Sequence, residues 1–192
     1  MNIVAPQRMT VDEFLAWSVR QEKGRFELQD GRVIVQQSQN VAHLRYKMRM
    51  VMALLAAVER AGVPYYVLPD GATVRVAERT AYEPDALIAP LPEPNDASLE
   101  IPNPVIVVEV LSPSSVTRDL VDKVVGYAAV ASIRHYLVLD PEEKAIIWHA
   151  RDGSGAFGAP VAVREYGLRL DPPGIELKVE DVFGAAQSEG HS

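Results

Sequence analysis

No cysteine occurs among the 192 residues. That absence excludes disulfides, thiol nucleophiles, iron–sulfur clusters and cysteine zinc sites. It suits a reducing compartment, and a cytoplasmic location is the expectation. No apolar run approaches the roughly 20 residues that span a bilayer. The first residues lack the charged-then-apolar pattern of a secretory leader, so no membrane partner is expected. Basic charge is also short, with 19 Lys+Arg against 26 Asp+Glu and a net charge of −7. Such a chain does not coat nucleic acid by bulk charge. The four histidines include no pair at zinc-site spacing. There is no G-x-S-x-G nucleophile elbow, no phosphate-binding P-loop and no dinucleotide glycine fingerprint. What is left for chemistry is oxygen ligands.

The length fits one domain able to bury a core without staples. Residues 1–184 are expected to form it, and the small, polar residues 185–192 to form a flexible tail. Thr10 and Glu13 make a capping box for a first helix reaching about Arg20, with Met9 and Phe14 as its staple. Phe26–Leu28 and Val33–Val35 around Asp30-Gly31 predict a β-hairpin. Val41, Leu44, Met48, Val51, Leu55 and Val58 form one apolar stripe on a long helix, expected to face the core. Gly62 ends that helix and Pro64 cannot continue it.

Strands are expected at Tyr65–Leu68, Thr73–Val76 and Ala86–Ala89, then a proline-rich loop from Pro90 to Pro104. Val105–Leu111 is a near-continuous apolar run, the mark of a strand covered on both faces. A second helix is expected over Thr117–Ala131, with Val116, Leu120, Val124, Tyr127 and Ala131 on one side. Tyr136–Leu139 and Lys144–His149 predict a hairpin. Val161–Tyr166 predicts the last strand, and Val179–Phe183 a short terminal turn. The order predicts a mixed α/β domain.

One residue disagrees with its surroundings. Glu109 is a carboxylate inside the apolar run, costly unless paired, protonated or bound to a cation. Asp85, which opens the strand at Ala86, is its natural companion. Two carboxylates at the ends of neighbouring strands can share a hard divalent cation, Mg²⁺ or Mn²⁺, which favours oxygen. The plainer alternative for Glu109 is a salt bridge to a nearby base. On the following helix Asp119, Lys123 and Tyr127 recur at i, i+4 and i+8 on one face. Lys123 can lay its stem on the sheet and reach the carboxylates. The plainer alternative is an Asp119–Lys123 surface pair worth a few tenths of a kcal/mol. Arg45, Lys47 and Arg49 could steer phosphates, or be a solvated helix face. Ser112 and Ser114-Ser115 could touch phosphate, or form a turn and cap.

Pro84-Asp85, Glu109-Val110-Leu111-Ser112-Pro113-Ser114, Asp119 with Lys123 and Tyr127, and His135-Tyr136-Leu137-Val138-Leu139-Asp140-Pro141 occur in that order. Together with Phe26-Glu27-Leu28, Asp30-Gly31 and His43, this resembles the Uma-type family of restriction endonucleases within the PD-(D/E)xK nuclease superfamily. The resemblance spans about residues 9–184. It implies a restriction-endonuclease-like fold, a central mixed β-sheet flanked by helices. It implies that Asp85 and Glu109 hold metal and that Glu27 is the early acid that helps hold metal or water. His43 matches a family histidine that would bind substrate or touch carboxylates; the plainer alternative is a helix-start His that packs or caps. Superfamily members carry Lys two residues after the second acid. Here that position is Leu111, and the resemblance moves the role to Lys123.

The implied activity is Mg²⁺- or Mn²⁺-dependent hydrolysis of phosphodiester bonds in DNA, with Asp85, Glu109 and Lys123 catalytic. Arg45, Ser112, Asp119 and Tyr127 are substrate-binding candidates. A homodimer is expected, since cutting both strands of a duplex usually needs two sites. Two other readings stand beside it. One is a non-catalytic binding or regulatory module on the same fold. The other is a metal-dependent hydrolase of small phosphorylated substrates.

Overall fold

The computed structural model describes residues 8–112 and 118–184. The predicted contacts of Ser114-Ser115, the start of the second helix at Val116-Thr117, and the tail 185–192 with His191 lie outside the described residues. Twelve strands and four helices follow one another: α1 (Val11–Ser18), β1 (Phe26–Gln29), β2 (Arg32–Val35), α2 (Val41–Ala61), β3 (Tyr65–Pro69), β4 (Val74–Ala77), β5 (Thr80–Tyr82), β6 (Ala86–Pro90), β7 (Ile106–Val110), a π-helical turn (Arg118–Asp122) running into α3 (Lys123–Ala129), β8 (His135–Asp140), β9 (Ala145–Ala150), β10 (Val161–Val163), β11 (Gly167–Leu170), β12 (Ile175–Lys178) and α4 (Val179–Phe183). Among the described residues no helix is long and apolar enough to cross a membrane.

The main sheet has the order β10-β9-β8-β7-β6-β3. It is mixed: β7 pairs parallel with β8 and antiparallel with β6. The π-helical turn and α3 make the parallel crossover. All five residues of β7 are buried, as its apolar run predicts. Period-2 alternation splits the strand between two cores. Ile106, Val108 and Val110 join Met50, Leu54 and Leu177 on the face covered by α2, α4 and the β11–β12 hairpin. Val107 and Leu111 join Tyr82, Tyr127 and Tyr136 on the face covered by α3. Glu109 therefore projects toward α3, on the same side as Leu111.

A second sheet, β2-β1-β5-β4, packs Phe26, Leu28 and Ala81 against Phe14 and Trp17 of α1. The Thr10–Glu13 capping box closes as predicted. The β1–β2 turn holds Asp30 at φ 50 and Gly31 at φ 78, the conformation that an Asp-Gly hairpin turn demands. The chain leaves this sheet at Tyr82 and enters the main one at Ala86. Glu83-Pro84-Asp85 is the crossing, so Asp85 stands where the two sheets meet.

Several expectations are corrected. α2 begins at an Asn40 cap and, as foreseen, ends at Gly62, which lies in the left-handed region. Its core-facing residues, however, are His43, Lys47, Met50, Ala53, Leu54 and Ala57. Of the predicted stripe, Val51 and Val58 are half-buried and Val41, Leu44, Met48 and Leu55 are exposed. Two of the six inner positions carry polar groups, which weakens the apolar signal of the true inner face. Ala53 and Ala57 add little apolar weight but allow close approach to the sheet. α3 stops at Ala129 and Ala131 is exposed. The last strands are β11 and β12, a hairpin beyond the predicted one, and Val179–Phe183 is a helix.

His135 on β8 is buried, and Trp148 Nε1 donates to its Nδ1 at 3.1 Å. Burial lowers its pKa from 6.5 to about 4, against the pull of the Asp171 and Pro172 carbonyls. The folded state therefore binds fewer protons than the unfolded chain between those values. The stability His135 contributes is complete above pH 6.5 and is lost as pH falls toward 4, about 3 kcal/mol in all. His135→Asn keeps an acceptor for Trp148 and does not titrate. Urea unfolding of the two proteins from pH 7 to 4 should show a flatter profile for the variant. Parallel profiles would assign the acid sensitivity elsewhere.

Candidate active site

Glu27, Asp85, Glu109, Asp119 and Lys123 line one pocket of about 440 Å³, with Arg25, Gln36, Asn40, His43, Glu83 and Ser112. Each arrives by simple strand or helix logic. Glu27 alternates with Phe26 and Leu28, which face α1, so its carboxylate faces the opposite side of β1. Asp85 comes from the sheet crossing, Glu109 from the end of β7, and Asp119 and Lys123 from consecutive turns of the crossover segment. His43 is at the start of α2.

Two lysines organise the acids. Lys123 Nζ lies 2.6 Å from Glu109 Oε1, 3.1 Å from Glu27 Oε1 and 3.6 Å from Asp119 Oδ1. All four side chains are buried. The surface-pair alternative for Asp119 and Lys123 is thereby excluded. Tyr127, fully buried, donates its hydroxyl to the same Glu109 oxygen at 2.8 Å. Glu27 also accepts from the Glu83 amide and from Gln36 Nε2, both at 2.9 Å.

The second cluster centres on Lys47, also buried. Its Nζ lies 2.7 Å from Asp85 Oδ1 and 2.7 Å from Asp70 Oδ2, and donates to Gln39 Oε1 at 3.2 Å. Asp85 Oδ2 accepts from the Val110 amide at 2.7 Å. That bond ties the acid of the sheet crossing to the residue that follows Glu109, so the two clusters share one wall. His43 Nε2 is 3.8 Å from Asp85 Oδ2 and, among the described residues, is buried without a hydrogen-bond partner.

The electrostatics follow from this crowding. Burial pushes the Glu109 carboxyl up to about 8, opposed by Lys123 and reinforced by Asp119 and Asp85. Burial likewise raises Glu83. Burial lowers His43, although Asp85 opposes it, so its imidazole is held neutral. At Asp70 burial works against the charge, but the Lys47 hydrogen bond and ammonium, with Arg25, hold the carboxyl below its ordinary value. Five acids and only two bases line the pocket itself, a balance that suits a cation.

Of the sequence candidates, the structure brings Glu27, Asp85, Glu109, Asp119, Lys123, His43 and Ser112 to this pocket. Tyr127 reaches it only through Glu109. Arg45 is exposed on the outer side of α2 and does not line it. Lys47 was read as a steering charge or a solvated one, and it is neither. Its signal was present all the same: His43 and Lys47 are one turn apart, on one face of the helix. Asp70 was missed as well. Among the described residues, no three His, Asp or Glu side chains converge as a ready-made metal site.

The sequence matches the Uma2 family model, described as "Putative restriction endonuclease", over residues 11–182. The chain belongs to the Uma2 family. The fold is similar to a crystal structure from Anabaena variabilis ATCC 29413, described as "a putative nuclease belonging to DUF820". The TM-score is 0.71 at 14% identity, over 91% of this chain and 97% of that one. No curated protein matches. Family membership makes this a nuclease-type protein.

Proposed function

We propose that this Uma2 protein is a divalent-metal-dependent endonuclease that hydrolyses phosphodiester bonds in DNA. The observation that carries the reading is the convergence of Glu27, Asp85, Glu109 and Lys123 on one pocket. The donor set fits Mg²⁺ or Mn²⁺. It is made of carboxylate oxygens, it is in excess over the bases of the pocket, and Lys123 and Tyr127 both donate to the same Glu109 oxygen, Oε1. Asp85 and Glu109, with Glu27, would hold the metal. Bound there, it would supply Lewis acidity toward a phosphate oxygen and lower the pKa of a water. Lys123 sits where it can hold a water or offset charge that builds on the phosphate. Tyr127 and the Val110 amide fix the two principal acids. His43, held neutral beside Asp85, can take up or pass on a proton.

Asp85→Asn keeps an acceptor for the Val110 amide and removes a ligand charge. Metal-dependent nicking of supercoiled plasmid by the variant should fall by a factor of about 10²–10³ or more, with its melting curve close to that of the parent. A variant that nicks at the parental rate would sink the assignment.

A second reading is supported by one observation. The acids of each cluster are already paired with a buried lysine, as a non-catalytic binding module would have them. Calorimetric titration with Mn²⁺ separates the two. The nuclease binds the metal, with Asp85→Asn weakening it, whereas the module binds none.

A further inference from the structure

The outer face of α2 carries five large apolar side chains in solvent: Val41 (70% exposed), Leu44 (50%), Met48 (66%), Met52 (62%) and Leu55 (49%). Single exposed apolar residues are ordinary. Five on one helix face, at spacings of three and four, form a seam of the kind that helices pack against one another. The inner face of the same helix is already occupied by the core and the pocket, so the seam serves nothing described above.

Its charges select the occupant. Arg45, Met52 and Glu59 lie two turns apart on the exposed side. Neither Arg45 nor Glu59 has an ion pair among the described residues. An antiparallel second copy of α2 crossing at Met52 brings one oppositely charged pair into register at each end of the seam. Arg45 meets Glu59 of the partner subunit, and the same pair repeats across the two-fold axis. Met48 meets Ala56 of the partner subunit, a large side chain against a small one. This self-complementarity is what an isologous interface requires.

We infer that the outer face of α2 is a homodimer interface, with two copies of the helix antiparallel about Met52. From Val41 to Glu59 the seam runs about 27 Å, at 1.5 Å per residue. A helix pair of that length covers well under the roughly 800 Å² per partner of a standard interface. The dimer is therefore reversible and concentration-dependent. It places the pockets on the outer flanks of a back-to-back pair, since His43 and Lys47 project from the opposite side of each α2.

Sedimentation equilibrium of the full chain, without metal or DNA, tests this separately from any activity. The parent should pass from monomer to dimer at micromolar to submillimolar concentration. Met52→Glu should raise the dissociation constant at least about tenfold, with an unchanged melting curve because the site is exposed. Arg45→Glu and Glu59→Arg should each weaken association, and the double exchange should restore it. A parent that stays monomeric overturns the inference. So does a dimer indifferent to Met52→Glu, or one that the double exchange fails to restore.

Discussion

Lys123→Met should cost the fold about 3–5 kcal/mol at neutral pH, the range for removing one partner of a buried ion pair. The reason is the company that the ammonium keeps. Glu109, Glu27 and Asp119 are within 2.6, 3.1 and 3.6 Å of it, all buried. Methionine fills most of the volume but leaves the carboxylates facing one another. Burial already raises Glu109 to about 8 while Lys123 opposes the rise, and without that opposition the carboxyl protonates more readily still. The variant's folded state then binds a proton that its unfolded state does not, so its deficit widens as pH rises. Chemical unfolding at pH 6 and pH 9 should show the larger gap at pH 9.

Two further measurements make the argument specific. Glu109→Gln in the Lys123→Met background removes the carboxyl that would ionise against its acidic neighbours at high pH, and should recover part of the loss at pH 9. Mg²⁺ or Ca²⁺ should raise the melting temperature of Lys123→Met more than that of the parent, because a cation replaces a cation and binding to the folded state stabilises it. Plasmid nicking by the same variant should fall by a factor of about 10² or more. Equal stability of parent and variant at both pH values would mean that Lys123 does not compensate these acids.

The sequence carried the frame of this site better than its details. β7 was legible because a strand covered on both faces reads as an apolar run, and Glu109 stood out against it. Asp85 was legible from its neighbour Ala86–Pro90. The Asp30-Gly31 turn and the Thr10–Glu13 cap were legible because they depend on local geometry. Long-range partners were not. Nothing near Lys47 in the chain announces Asp70 or Asp85. The inner face of α2 was misassigned because hydrophobic periodicity finds the strongest apolar stripe, and here that stripe looks outward. A helix that spends inner positions on His43 and Lys47 weakens its own signal. The β11–β12 hairpin escaped because its strands, four residues each, pair mainly with one another and draw their burial from α2.

Lys47→Met should abolish most of the nuclease activity while sparing the fold. The stability argument comes first. Asp70 keeps Arg25 at 3.0 Å and Asp85 keeps the Val110 amide at 2.7 Å, so neither acid is left bare. Asp70 is also partly open to water. A loss of about 1–3 kcal/mol is expected, the cost of an unsatisfied buried group rather than of a stripped ion cluster. Activity should respond more. Positive charge reaches the acids from helices on two sides. Lys47 supplies it beside Asp85, and Lys123 beside Glu109. If the Lys47 ammonium steadies charge that develops on the phosphate, kcat for plasmid nicking falls by a factor of about 10²–10³ with KM little changed. Lys47→Arg keeps the charge on a longer, forked head and should restore stability fully but rate only in part. Asp70→Asn leaves the Lys47–Asp85 contact in place, and its rate should stay within about tenfold of the parent. An equal loss in Asp70→Asn and Lys47→Met would instead make the whole Asp70–Lys47–Asp85 chain a positioning device for Asp85. A Lys47→Met enzyme at the parental rate would leave Lys123 as the ammonium that the chemistry uses.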